Sequence, residues 1–347
     1  MAKKKKKKLD PVHSLGLAAA GVIALVCAII AWNWLSDNRL PNFRKAAVVY
    51  VRPDTSFDEI YSQLINEAGV KRPYSLNRAL KEKQVSEYMQ PGRYEIKPEY
   101  TSVYVARMLN NCWQSPAKLV LSGTMRQKSQ IASKISHQLM IDSLEVIKAL
   151  NDKELLATYG FTPQNVFSLF IPDTYEMYWT STMKDVLAKQ KAAWEAYWSP
   201  DRIKKADRQG LTQKQVSILA SIVSGETHYV PEMPKIAGVY LNRLHQGMKL
   251  QADPTIAYCL NYDVKRILNK HLQIDSPYNT YKYEGLPPGP IAVPSKECLE
   301  AVLNPEGNYL YFCANSNFDG SHLFARTYQD HLKNARAFQN ALNSAKK

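Results

Sequence analysis

The sequence predicts an α+β protein carried on a single N-terminal transmembrane helix, with a small βα region and then a larger domain of mixed helices and strands. Three observations lead there. An uncharged apolar run, "LGLAAAGVIALVCAIIAWNWL", spans residues 15–35. Two strand-then-helix patterns follow it in tandem. Beyond residue 118, capped amphipathic helices are interrupted by loops dense in Pro, Gly, Asn and Tyr.

At ~1.5 Å per helical residue, the apolar run can cross the ~30 Å hydrocarbon core of a bilayer. Trp32 and Trp34 fall at its far end, where indole rings favour the membrane interface. The basic tail of residues 1–14 holds Lys3 to Lys8, which predicts a cytoplasmic N-terminus. Everything after Leu35 is then extracytoplasmic, held at the inner (cytoplasmic) membrane. A cleaved signal peptide shares the basic and apolar regions, but its apolar core is shorter, and "NWLSDNRL" is a poor cleavage site. An uncleaved anchor is the better reading.

Six of the formal +14 charges sit in that lysine run, which leaves +8 for the rest. A positive extracytoplasmic surface suits an anionic polymer or lipid. Nucleic acid is not expected as a partner on that side of a membrane. Cys27 lies in the span, and Cys112, Cys259, Cys298 and Cys313 lie beyond it with no CxxC or zinc-like spacing. Four cysteines allow three disulfide pairings, between which the sequence does not choose. No metal or cofactor is expected.

Residues 36–45, "SDNRLPNFRK", are polar and aperiodic and read as a linker. In the region 46–117, "YVRPDTSFDEIYSQL" (50–64) and "EIKPEYTSVYVARML" (95–109) align without a gap at an offset of 45 residues. Each is a strand, a basic residue before proline, a Ser or Thr cap and an apolar-periodic helix. Ile60 and Leu64 match Val105 and Leu109. A weaker third unit starts at "KLVLSGTMRQKSQIASKI" (118–135). With "MQPGRYEI" (89–96) as turn and returning strand, this layout resembles a LysM-type module, which implies binding of N-acetylglucosamine polymers. A spacer role fits the same pattern.

In the domain 118–347, "AKQKAAWEAYW" (188–198) reads as a helix with an aromatic stripe, and "PDRIKKADRQG" as a solvated charged stretch. Thr212 caps a helix whose Val216, Leu219, Ala220 and Val223 form one apolar face. Glu226 continues that face where the helix ends at Gly225. A carboxylate at a helix C-terminus is disfavoured, and partial burial adds to this, so its pKa should rise toward that of a general acid. The bland alternative turns Glu226 to solvent or pairs it with Arg243 or Lys249. The loops "GMKLQADPTIAY" (247–258) and "SPYNTYKYEGLPPGPIAVPS" (276–295) would expose aromatic faces and amides, as a sugar-binding cleft does.

Four segments, "LASIVSGET", "VYLNRLHQGMKLQADPT", "SPYNTYKYEGLPPGPIAVPS" and "NYLYFCANSNFDGSHLFARTYQDH", occur in the order and spacing of the YceG-like family, the membrane-anchored endolytic murein transglycosylases. The resemblance covers roughly residues 46–340. It implies a YceG-like catalytic domain over 118–347, peptidoglycan glycan strands as substrate, cell-wall synthesis enzymes as further partners, and Glu226 as the essential glutamate of the "ET" motif. Two departures stand out. Ser224 and Gly225 replace the glutamate-lysine pair of many relatives, and Phe167 replaces an acid, whose role is then either dispensable here or taken over by Glu176 or Asp173.

The expected reaction is lytic transglycosylation, with Glu226 as both acid and base and formation of 1,6-anhydro ends. Asn242, Gln251, Tyr278, Asn279 and Tyr281 are candidates for orienting substrate. Against this, Asn242 could cap its helix and Asn279 could form an Asx turn. Asp253, before Pro254, is a turn former or a second acid. His322 could meet a substrate carboxylate, although a lone histidine near a strand is more often structural. Two rivals remain: a lysozyme-like hydrolase using Glu226 and Asp253, and a non-catalytic glycan-binding scaffold. A zinc protease is excluded, because "ETH" lacks the HExxH spacing.

Overall fold

Helix α1 (Pro11–Asn38) opens the computed structural model, which describes residues 11–345. The lysine run therefore lies outside the described residues. Leu15–Asn38 is long and apolar enough to cross a membrane, and Leu17, Ile23, Leu25 and Ile30 are all exposed along it. The chain divides into two compact units, residues 1–117 with 178–180, and residues 118–177 with 181–347.

In the first unit, strand β1 (Ala47–Val51) leads to helix α2 (Phe57–Gln63), then α3 (Pro73–Glu82), α4 (Val85–Tyr88), strand β2 (Gly92–Ile96) and α5 (Ser102–Asn110). The strands pair antiparallel from Ala47 opposite Ile96 to Val51 opposite Gly92. Ser56 caps α2 in a reciprocal box with Glu59, and Thr101 caps α5. The duplicated positions Ile60, Leu64, Val105 and Leu109 are all fully buried in one core with Val49, Tyr94 and Ile96.

Residues 36–45 are not a linker. Ser36, Asp37, Asn42 and Phe43 are buried. Asp37 pairs with Arg78 at 2.7 Å, and Asn42 donates to the Ser102 hydroxyl and the Arg72 carbonyl while accepting from the Arg72 amide. The polarity that suggested a linker instead supplies partners for buried backbone.

Strand β3 (Ala117–Leu121) leads into the second unit, followed by α6 (Lys128–Ser136), α7 (Ser143–Ala149), α8 (Lys153–Thr158) and β4 (Asp173–Met177), which pairs with β3. Helices α9 (Met183–Tyr197), α10 (Pro200–Arg208), α11 (Gln213–Glu226), α12 (Met233–His245), α13 (Asp253–Cys259) and α14 (Lys296–Leu303) come next. The hairpin β5 (Tyr311–Ala314) and β6 (His322–Ala325) pairs antiparallel before the last helix, α15 (Tyr328–Ala345). Trp194 and Tyr197 on α9 are buried, as a core stripe should be. The charged stretch after residue 199 is helical: Ser199 caps α10, Ala206 faces the core, and Arg202 pairs with Glu300 at 2.7 Å. All five cysteines are free thiols. Helices α11, α12 and α14 pack together. The Ser221 hydroxyl on α11 accepts from the Ile291 amide at 3.0 Å, which ties the proline-rich loop to them.

Candidate active site

Helix α11 starts at the expected cap, where Thr212 and the Gln215 side chain satisfy each other's backbone amides. Val216, Leu219, Ala220 and Val223 are buried at i, i+3, i+4 and i+7. The helix ends at Glu226 because Thr227 is extended. Gly225 has a packing reason to lack a side chain: a Cβ there would lie 2.5 Å from Cβ of Pro254. Its absence lets the start of α13 approach the end of α11.

That approach corrects the reading of residues 247–258 as loop throughout. Asp253 is the first residue of α13, and Pro254 beside it suits a helix N-terminus, where no amide donor is needed. Gln251 adopts a left-handed backbone (φ 53°) and donates its amide to the Thr280 carbonyl at 3.0 Å. The Ala252 amide and Thr255 hydroxyl both meet the Thr280 hydroxyl, at 3.0 and 2.9 Å. These bonds hold residues 276–283 against α13. Tyr281 then donates its hydroxyl to Oδ1 of Asp253 at 2.6 Å.

From α12, the Tyr240 hydroxyl donates to Oε1 of Glu226 at 2.5 Å. Arg243 lies one helical turn further on. Its Nε donates to the Leu310 carbonyl and Nη1 to the Leu250 carbonyl, both at 2.7 Å. Glu226, Tyr240 and Arg243 with Gln251, Asp253 and Tyr281 line a cavity of about 300 Å³, which Phe312 and His331 complete. Burial, reinforced by the Asp253 charge, raises the Glu226 pKa from its usual 4.5 to about 7, against the lowering effects of the Tyr240 hydroxyl and Arg243. Burial also pushes the Tyr240 and Tyr281 hydroxyls well up, so both stay neutral donors.

Of the residues singled out in the sequence, the cavity gathers Glu226, Gln251, Asp253 and Tyr281. It does not gather the other three. Asn242 donates to the carbonyls of Tyr309 (2.9 Å) and Gly307 (3.3 Å), fastening α12 to the segment before β5. Asn279 is fully buried, donates to the Leu272 and Ile274 carbonyls, and accepts from the Tyr281 amide, so it shapes the loop. Tyr278 packs on Tyr258 with ring centroids 4.6 Å apart.

His322 faces a protein carboxylate, with Nδ1 2.8 Å from Oε2 of Glu232. Asp173 pairs with Lys296 at 2.6 Å, Glu176 is an exposed strand residue, and neither lines the cavity. Phe167 is buried in the core. Tyr240 and His331 escaped the sequence reading, and Arg243 entered it only as an ion-pair partner for Glu226. The signal for Tyr240 and Arg243 as cavity residues was their i, i+3 spacing, which puts both on the buried face of α12. His331 carried none.

Curated relatives match part of the chain. The "Endolytic murein transglycosylase" of Bacillus subtilis (strain 168) is 46% identical over 116 residues, covering 33% of this chain and 32% of the relative. The Streptococcus pneumoniae (serotype 2, strain D39) protein of the same name is 32% identical over 178 residues, covering 49% of this chain and 32% of its own. The chain thus spans about a third of the length of the curated relatives it matches. A crystal structure of a yceG-like protein from Listeria monocytogenes superposes with a TM-score of 0.55 at 27% identity, covering 83% of this chain and 98% of that one. The YceG-like family model matches residues 49–337, and the chain belongs to that family.

Proposed function

We propose that this chain is a membrane-anchored endolytic murein lytic transglycosylase that cleaves the bond between N-acetylmuramic acid and N-acetylglucosamine and leaves 1,6-anhydro ends. The observation that carries this reading is Glu226, a carboxyl facing a sugar-sized cavity with its pKa raised to about 7. The names of the curated relatives support murein as the substrate.

Glu226 gives its proton to the glycosidic oxygen as the C1–O bond breaks. Tyr240 then steadies the carboxylate, and the Arg243 charge favours it. The carboxylate takes the proton of the muramoyl 6-hydroxyl while that oxygen bonds C1, so the proton balance closes without water. An intramolecular nucleophile supplies a high effective concentration, which removes the need for a second carboxylate as base. The substrate's own acetamido carbonyl can support positive charge at C1.

Helix α1 serves as the single-pass anchor, with the basic tail cytoplasmic and the chain beyond the helix outside, within reach of nascent strands and the enzymes that make them. The first unit acts as a LysM-like glycan holder. Its two strand-helix repeats support this, as does an open groove beside Tyr50 and Arg52.

The test is the full chain in lipid nanodiscs with uncrosslinked glycan strands, new ends being read by mass spectrometry beside Glu226→Gln. Anhydro ends that vanish in the variant are expected. Asp253 in the same cavity favours a second reading, a hydrolase, which would give reducing ends one water heavier. Binding without cleavage would leave a scaffold.

A further inference from the structure

Besides the carboxylates Glu226 and Asp253, the cavity is lined by Arg243 and His331, whose hydrogen-bonding capacity is only partly used. Arg243 is only 9% exposed and makes no ion pair among the described residues, although its charge reaches Glu226 across the cavity. Its Nε and Nη1 are spent on backbone carbonyls, and Nη2 has no protein acceptor among the described residues. Those bonds fix the guanidinium plane, and Tyr311 covers it at 5.3 Å. His331 lies nearby, stacked on Tyr311 with ring centroids 5.4 Å apart, and its Nδ1 is buried without a hydrogen-bond partner. Burial and the Arg243 charge lower the His331 pKa, so the ring is neutral at neutral pH.

A guanidinium whose plane is fixed by backbone and whose remaining nitrogen is free in a cavity offers a preorganised charged donor to a ligand oxygen. On a murein strand one group fits. Muramic acid differs from glucosamine only by the lactyl ether on O3, which carries a carboxylate, or an amide carbonyl where a peptide is attached.

We infer that Arg243 and His331 form a subsite for the lactyl carboxyl or carbonyl of the muramoyl residue, and so set the preference for murein over a plain N-acetylglucosamine polymer. This rests on the reading of Glu226 as the acid that acts on the same sugar. Arg243 supplies two roles through different nitrogens: Nε and Nη1 lock the wall, and Nη2 reads the substrate. His331 adds a neutral partner for a second oxygen.

Calorimetry with two matched tetrasaccharides tests this, both presented to the full chain carrying Glu226→Gln so that neither is cleaved. One alternates N-acetylglucosamine and N-acetylmuramic acid with free lactyl carboxylates. The other is chitotetraose. The Glu226→Gln chain should prefer the muramoyl tetrasaccharide by about tenfold or more, the range expected for a hydrogen bond to a charged group. Adding Arg243→Gln should abolish the preference, read as the ratio of the two affinities.

Because Arg243 also holds backbone, His331→Ala serves as an independent variant and should cut the preference by about threefold, the effect of a weaker neutral contact. A preference that survives both variants, an equal loss for both sugars, or no preference at the outset overturns the subsite. The proposed activity fails separately, by the absence of anhydro ends from the parent chain.

Discussion

The hydroxyl of Tyr240 donates to Oε1 of Glu226 at 2.5 Å, and it is the closest brake on a pKa that burial drives upward. A hydrogen bond to the charged form favours that form. Tyr240→Phe removes the bond and keeps the ring, so the Glu226 pKa should climb further. A general acid must be protonated at rest, so the alkaline limb of the pH profile of kcat/KM, near pH 7 in the parent, should move to higher pH. At the same time kcat should fall, because the carboxylate left after proton donation loses its partner. A limb that stays put or moves to lower pH would show that Glu226 is not the titrating acid.

Glu226→Gln separates catalysis from stability. Loss of a general acid costs about 10²–10⁴ in rate, so cleavage should drop by at least about a hundredfold. Stability should move the other way. The folded-state pKa of about 7 lies above the usual 4.5, so between these pH values the native chain holds a proton that the unfolded chain has released. The parent therefore loses stability as pH rises from about 4.5 through 7 and is level beyond. Glutamine cannot ionise, so the variant should match the parent below pH 4.5 and exceed it above pH 7. At about 1.4 kcal/mol per pKa unit, discounted for solvent reaching a partly exposed group, the gain is on the order of 1–2 kcal/mol. Urea midpoints at pH 4, 6 and 8 check it.

Asp253 raises the Glu226 pKa through its charge and is itself held by Tyr281. In Asp253→Asn the like charge is gone, so the alkaline limb should shift to lower pH, opposite to Tyr240→Phe. The products distinguish the mechanisms. Under transglycosylation, anhydro ends should persist at a reduced rate, because no second carboxylate acts on the substrate. Complete loss of turnover with a normal fold by circular dichroism would move Asp253 into the chemistry.

Much of helix α11 was legible in the sequence because its signals are local. Thr212, the i, i+3, i+4, i+7 stripe and the position of Glu226 all follow from one turn-by-turn pattern. The two strand-helix repeats were legible for the same reason. The failures share a different cause. Asn242 and Asn279 have the side chains of sugar-binding residues, but each satisfies carbonyls from segments up to 67 residues away or folds its own loop, and residue type alone does not say which carbonyl is nearest. Asp37 and Asn42 looked solvated because their partners, Arg78, Arg72 and Ser102, are 30 to 60 residues further along. His331 enters the cavity from the last helix, a relation that no local spacing encodes.

Gly225 makes the site dependent on a backbone contact, which a single methyl should disturb. An alanine Cβ would sit 2.5 Å from Cβ and 2.8 Å from Cγ of Pro254, and a proline ring at the start of α13 cannot rotate away. Alanine favours a helix over glycine by up to about 1 kcal/mol, whereas overpacking of this kind costs about 1–3 kcal/mol. The net effect of Gly225→Ala should be a modestly lower Tm. The larger effect should be on function, since relief of the clash moves α13 and carries Asp253 and Tyr281 away from Glu226. The pKa of Glu226 should then fall as the Asp253 charge recedes, and KM should rise as the cavity loses one wall. Glycan kinetics and the pH profile of Gly225→Ala test both; an unchanged profile beside an unchanged KM would mean that the α11–α13 contact does not set the geometry of the carboxylates.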